Sequence, residues 1–459
     1  MSGTPIIDFI RRYKESGTVR AHMPAHKGAA YIGPEALDIT EIAGADELYG
    51  AEGIIKASEE NAAALFETGR TLYSCEGSSL SIRAMLYLAL LEAKWAGREA
   101  SAETGRFRVL AGRNAHKTLM TAAALLDLDI GWLPAEESSL LRCKTDIRAL
   151  DELLAGESER EKPIAVYITS PDYLGNIENI RSVAAVCHWH GVPLLVDNAH
   201  GTYLKFLEMS MHPIDLGADM CCDSAHKTLP CLTGAAYLHI HRAAPSVFAE
   251  QAEAALALFA STSPSYLIMQ SLDNANALLT GGYAEKIREY AASVRETSER
   301  LSAKDWRLIG DEPLKLSFMP KEAGYTGAEF AAELRLQGIE PEFADPDFCV
   351  LMLSPENGKT DLKAIENAVL SLEKRPPISE KPPSLPAPDR AVSFREAILS
   401  PQERVPAEKA LGRVLGFGHI ACPPAVPIVT AGERIGEAAV ECFRYYGVGE
   451  LSVLREPRG

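Results

Sequence analysis

Asp223-Ser224-Ala225-His226-Lys227-Thr228-Leu229-Pro230 closes an apolar run that begins at Ala218. A matching element stands upstream, Leu194-Leu195-Val196-Asp197-Asn198-Ala199-His200-Gly201. A lone lysine after a histidine is ordinarily a surface residue, and an aspartate ending a strand is ordinarily a helix cap. Taken together, Asp-x-Ala-His followed by Ser-x-His-Lys points to a pyridoxal phosphate (PLP) site. An amine forms an imine only when unprotonated, so the site must lower the proton affinity of Lys227 by burial or nearby positive charge. A carboxylate at Asp197 acts oppositely on a ring nitrogen, keeping it protonated so that the ring accepts electrons.

Working outward, apolar runs and amphipathic stretches alternate. Strands are expected at Phe107–Ala111, Ile164–Thr169, Val192–Val196, Ala218–Cys222 and Ala235–Ile240, with helices leading to Leu126 and through Val183–Trp189. This βα rhythm predicts a mainly parallel sheet with helices on both faces. Ligands of such sheets lie beyond the carboxyl ends of the strands, where His116, Tyr173, Asp197 and Lys227 all fall. Tyr73-Ser74-Cys75-Glu76-Gly77-Ser78-Ser79 precedes a helix with apolar residues at Ile82, Met85, Leu86, Ala89, Leu90 and Ala93. Its start offers backbone N–H groups, two hydroxyls and the positive end of the helix dipole, a phosphate cradle. A plain serine cap is the alternative.

The N-terminal region holds a short amphipathic helix over Pro5–Gly17, a Pro/Gly-rich stretch from Arg20 to Gly28, and an irregular acidic stretch from Asp38 to Gly53. Ser261-Thr262-Ser263-Pro264-Ser265-Tyr266 is a hydroxyl-rich turn before a helix, and Lys374–Arg390, with six prolines, reads as a linker. The 459 residues suit two or three domains. A net charge of −17 argues against a nucleic-acid partner. Nine cysteines without paired spacing, and no signal peptide, suit a reducing cytoplasm. The apolar helix near Leu80–Ala96 carries Arg83, Glu92 and Lys94, so no membrane span is expected. His188/His190 and His239/His241 lack convincing metal-site company, and no metal is expected.

These motifs together resemble the ornithine/lysine/arginine decarboxylase family, and most of all its short bacterial arginine decarboxylases. The resemblance runs through His22–Gly28, Asp46–Gly53, Gly77–Ser79, Arg113–Lys117, Asp197–His200, Ser224–Lys227, Ser261–Tyr266 and, more weakly, Pro423–Pro427. It implies a fold-type I PLP enzyme, aspartate aminotransferase-like, with a small C-terminal α+β domain. The implied division is an N-terminal arm (1–60), a PLP-binding large domain (61–270), a small α/β subdomain (271–373), the linker (374–390) and a C-terminal decarboxylase-type domain (391–459). By motif, Lys227 is the Schiff-base lysine and Asp197 the pyridinium partner. His116 stacks on the ring, Ala199 leaves room on its other face, and His200 lies in the same block. Ser78, Ser79, Ser224 and His226 hold the phosphate. Thr262 or Ser263 reaches the cofactor of a second subunit, implying a homodimer or a higher oligomer. Lys227 or His226 returns a proton to Cα after decarboxylation.

The implied reaction is decarboxylation of a basic amino acid, arginine before lysine or ornithine, to a polyamine-pathway amine. Asp46, Glu47 and Glu52 are candidates for holding the substrate's distal cation. Four departures bear on the substrate: Asn198 where the family commonly has Glu, Ser81-Ile82-Arg83 after the phosphate motif, Ala25 for Gly, and Cys422-Pro423-Pro424-Ala425-Val426-Pro427 in the terminal unit, with a changed approach at Gly416-Phe417. Another PLP reaction, transamination or elimination, is one alternative, and a non-catalytic regulatory protein of the same fold is another.

Overall fold

The computed structural model describes residues 3–417 and 426–456. The chain divides into two compact units, one of 1–99, 164–170 and 179–288, the other of 100–163, 171–178 and 289–459. In the first unit, strands β1 (Arg70–Ser74), β2 (Ala165–Thr169), β3 (Leu194–Asp197), β4 (Met220–Asp223) and β5 (Ala236–Ile240) lie in one sheet. Their order is β1-β5-β4-β3-β2. β2, β3 and β4 pair in parallel, while β5 runs antiparallel between β4 and β1. The sheet is mainly parallel, as the alternation predicts. β1 is an element the sequence reading lacks. Four of its five residues are buried, so it shows no alternation by which a strand is recognised.

The helices that accompany the sheet include α1 (Pro5–Glu15), α2 (Ile54–Phe66), α3 (Ser78–Trp95), α4 (Ile180–Trp189), α5 (Ser246–Ala257) and α6 (Tyr266–Leu278). α1 buries Ile6 and Ile10, and the backbone N–H groups of Ile6 and Ile7 both donate to the Asp273 carboxylate on α6 at 3.1 Å. That anchors the first helix of the chain by its unpaired N-terminal donors.

α2 carries a buried acid, Glu59, whose Oε1 accepts the Tyr73 N–H at 2.8 Å. Burial pushes its pKa from an ordinary 4.5 up to about 8. The folded state therefore binds this proton more tightly than the unfolded chain. The stability it contributes is complete below pH 4.5 and is lost as pH rises towards 8. Glu59→Gln keeps the acceptor for Tyr73 and removes the titration. It should raise the apoprotein's stability at pH 8 by on the order of 2–4 kcal/mol and leave it little changed at pH 4, read from denaturant midpoints at both pH values.

The second unit contains a parallel pair, Arg108–Ala111 with Asp129–Trp132. It also has an antiparallel four-stranded sheet ordered Leu308–Ile309, Lys315–Phe318, Cys349–Met352, Phe343–Ala344. Near the C-terminus Gln402–Pro406 pairs antiparallel with Glu450–Leu454 over a small core that includes Leu415, Ile435, Ala439 and Phe443. Among the described residues no helix is long and apolar enough to cross a membrane.

Candidate active site

Two neighbouring strands end in the residues that matter. β3 and β4 pair in parallel with Asp197 opposite Cys222, so both strands reach the same edge of the sheet. Asp197 is the last residue of β3 and is buried. The Tyr167 hydroxyl donates to its Oδ2 at 3.1 Å, and the Ala199 N–H to its Oδ1 at 3.2 Å. Burial raises the Asp197 pKa, and the Lys227 charge and the Tyr167 hydrogen bond offset this only in part. An ionised Asp197 is thus favoured by a further cation beside it, and a protonated pyridine nitrogen would be one.

Lys227 lies in the single turn Ala225–Thr228 that follows β4, half-buried, with its Nζ 2.9 Å from Nε2 of His200. His200 belongs to the loop after β3, so the two strand ends meet at the amine. His226 points elsewhere: its Nδ1 donates to the Ala235 carbonyl at 2.8 Å. Burial lowers the His226 pKa and the neighbouring Lys227 charge lowers it further, which favours a neutral ring with a lone pair on Nε2.

The N-terminus of α3 completes this edge. Gly77 takes φ 69°, a left-handed conformation suited to glycine, and no side chain caps the helix. A Cβ on Gly77 would stand 4.0 Å from Cε1 of His226, so that ring borders the helix start. The Ser224 hydroxyl donates to Ser78 Oγ at 2.9 Å, joining the two segments through their side chains. Ser79 is the second residue of the helix. Backbone donors, three serine hydroxyls and a helix dipole suit a phosphate. A phosphate seat at one end and a carboxylate in need of a cation at the other fit PLP.

The remaining expected residues fall as follows. Thr262 and Ser263 are exposed on the turn before α6, where Ser265 caps the helix and the Ser261 N–H donates to Glu76 at 2.7 Å. Ala199 is half-buried and His200 buried. His116 belongs to the second unit, where its Nδ1 accepts the Thr118 N–H at 3.2 Å and lies 2.8 Å from the Thr118 hydroxyl. Tyr173, in the same unit, donates its hydroxyl to Glu342 at 2.7 Å. Cys422 to Ala425 lie outside the described residues.

Asp46, considered for the substrate's distal cation, has another task. Its carboxylate accepts the backbone N–H groups of Glu47, Glu52, Gly53, Ile55 and Lys56, closing the acidic loop onto the start of α2. The Tyr266 hydroxyl donates to the Asp46 carbonyl at 2.6 Å and fixes the loop from the other side. Glu47 and Glu52 are exposed.

Sequence reasoning missed four residues. Tyr167 is buried in β2 and bonds Asp197, but a tyrosine inside an apolar strand carries no positional signal. His212, Asp223 and His239 form a fully buried cluster, with their ligating atoms within 4.8 Å of one another. His239 thus has company that its spacing to His241 does not disclose. His188 instead pairs with Asp219 at 2.9 Å.

The model of the family described as Orn/Lys/Arg decarboxylase, major domain, matches residues 8–307. An arginine decarboxylase of Halalkalibacterium halodurans is 27% identical over 96% of this chain and 93% of its own length. One from Bacillus subtilis is 25% identical over 95% of this chain and 91% of its own length. Among solved structures, the Francisella novicida lysine decarboxylase superposes with a TM-score of 0.78 at 15% identity, covering 99% of this chain and 81% of that one. The constitutive lysine decarboxylase of E. coli gives 0.74 at 18% identity, covering 99% and 82%. At these identities the structures show the fold.

Proposed function

Given that the chain belongs to the Orn/Lys/Arg decarboxylase family, we propose that its substrate is arginine, cleaved to carbon dioxide and the corresponding amine. A PLP-dependent decarboxylase of basic amino acids on a fold-type I scaffold is the premise. Arginine is the further step, and one observation carries it: relatives matched over nearly the whole chain bear the name arginine decarboxylase.

PLP, when bound, supplies an electron sink for the bond between Cα and the carboxylate. The chain's residues do the rest. Lys227 would hold the cofactor through its Nζ, and Asp197 would face the ring nitrogen and keep it protonated. The hydroxyls of Ser78, Ser79 and Ser224 would hold the phosphate, with the His226 ring bordering that seat. By the family resemblance His116 would stack on the ring and Ala199 would leave room on its other side. Once carbon dioxide has left, a proton must reach Cα, and Lys227 Nζ is our donor. His200 Nε2, 2.9 Å away, can pass protons to and from that amine.

Assembly as a homodimer suits the turn at Thr262 and Ser263, whose exposed hydroxyls are assigned to a second subunit's cofactor. It also suits Tyr31 and Ile32, 80% and 87% exposed on a loop pinned by hydrogen bonds to Glu35. Among the described residues the cysteines are free and largely buried, which supports a reducing, cytoplasmic setting.

Arginine, lysine and ornithine should be offered separately to purified protein with PLP. Carbon dioxide from arginine, in clear excess over the other two, is the expected result. Release from lysine or ornithine instead reassigns the substrate. A ketoacid without carbon dioxide would replace decarboxylation by transamination.

A further inference from the structure

Behind the cofactor edge lies a polar cluster that the reaction itself does not use. Asn198 follows Asp197, is fully buried, and donates from Nδ2 to Oδ1 of Asp223 at 2.7 Å. Asp223 directly precedes Ser224 and is also fully buried. Its other oxygen accepts from Nε2 of His212 at 3.0 Å, and Nε2 of His239 stands 3.3 Å away. The Thr71 hydroxyl lies 2.8 Å from Nδ1 of His239, and Phe66 covers that ring at 4.4 Å between centroids. Burial alone would raise the Asp223 pKa, but His212 and His239 outweigh it and hold the group below the usual carboxylate range.

Room for this contact is built in. A Cβ on Gly201 would sit 2.0 Å from Oδ1 of Asn198, so only glycine lets the carboxamide lie where it does. Asn198 is also the position where the resemblance expects Glu. A carboxylate there would face a second buried carboxylate, and two such charges cannot both stay ionised at contact.

We infer that Asn198 and Asp223 are a matched pair of positioning residues. Their amide–carboxylate bond clamps the loop bearing Asp197, Ala199 and His200 to the strand end bearing Ser224, His226 and Lys227. It holds the ring-nitrogen and imine ends of the PLP site at a fixed separation. This rests on the cofactor assignment alone, not on arginine as the substrate. The departure at Asn198 is then a consequence of Asp223 and not a sign of lost chemistry.

The test is an exchange of the two groups. Asn198→Asp is nearly isosteric yet puts carboxylate against carboxylate, and Asp223→Asn puts amide against amide. Each single variant should bind PLP roughly ten- to a hundredfold more weakly and shift the visible absorbance of the lysine-bound cofactor. The double variant N198D/D223N restores an amide–carboxylate pair, while the amide at 223 still accepts from His212. It should recover most of the PLP affinity and the wild-type spectrum. A double variant no better than the weaker single, whether folded or not, overturns the pairing, as does an N198D protein with unchanged affinity and spectrum. Metal analysis of the purified protein adds a further arm: one zinc or iron per chain, lost in D223N, would make the cluster a metal site and overturn the hydrogen-bonded clamp. A wild-type protein that binds PLP but ignores arginine would sink the substrate assignment while leaving the rescue intact.

Discussion

Lys227→Ala should abolish the visible absorbance of the lysine-bound cofactor and lower carbon dioxide release by roughly 10²–10⁴-fold, the range of a lost proton-transfer group alone. The loss is double. In the proposed roles Nζ is both the covalent anchor and, beside His200 at 2.9 Å, the amine that moves a proton. Folding should survive, because Lys227 is only half-buried on a single turn after β4. The Ser78–Ser224 contact and the start of α3 remain to seat a phosphate, so PLP should still bind, non-covalently and more weakly. Absorbance spectra, turnover and equilibrium dialysis of PLP check the three parts. A variant that keeps its turnover would remove Lys227 from the chemistry. A variant that loses the spectrum but keeps the binding of a partner protein would point to the regulatory reading.

The strand ends were legible because an apolar run that stops at Asp197 or Asp223 is a local pattern, readable within a few residues. The sequence is less legible where the meaning of a side chain depends on something distant. Asp46 looks like one member of an acidic loop, yet its carboxylate is used up by backbone N–H groups as far on as Lys56. Asp273 looks like an ordinary polar position on α6, yet it anchors a helix 266 residues earlier in the chain. His239 and His241 alternate by two, and their spacing offers no convincing metal-site company. The partner that gives His239 a role is Asp223, on the neighbouring strand β4. Asn198 stood out only as a departure from the family pattern. Its reason, a carboxylate 25 residues on, is a matter of sheet register that no spacing rule contains.

Asp197→Asn separates two roles that a simple deletion would confound. The amide can accept the Ala199 N–H as the carboxylate does, and its NH₂ can face a Tyr167 hydroxyl that turns to accept, so the local packing has no reason to fail. What disappears is the charge. In the apoprotein that charge is a burden: burial raises the Asp197 pKa, so its contribution to stability is full below about pH 3.8 and is lost as pH rises through the folded value. The Asn variant should therefore melt at the same temperature as wild-type apoprotein or higher at neutral pH, with a flatter pH dependence. In the holoenzyme the order reverses. In the proposed role the carboxylate gains its cation and holds the proton on the ring, so removing it would take away a preorganised charge from the reaction. Turnover should fall by about 10²–10³-fold, the usual size of such a loss. The melting-temperature rise on adding PLP should shrink, because the ligand has lost a partner in the folded state. An Asn variant that decarboxylates at the wild-type rate would mean that the ring nitrogen needs no proton from this site. An apoprotein that unfolds would instead make Asp197 a structural residue. The two outcomes separate in one pair of melting curves, with and without PLP, run beside a turnover assay.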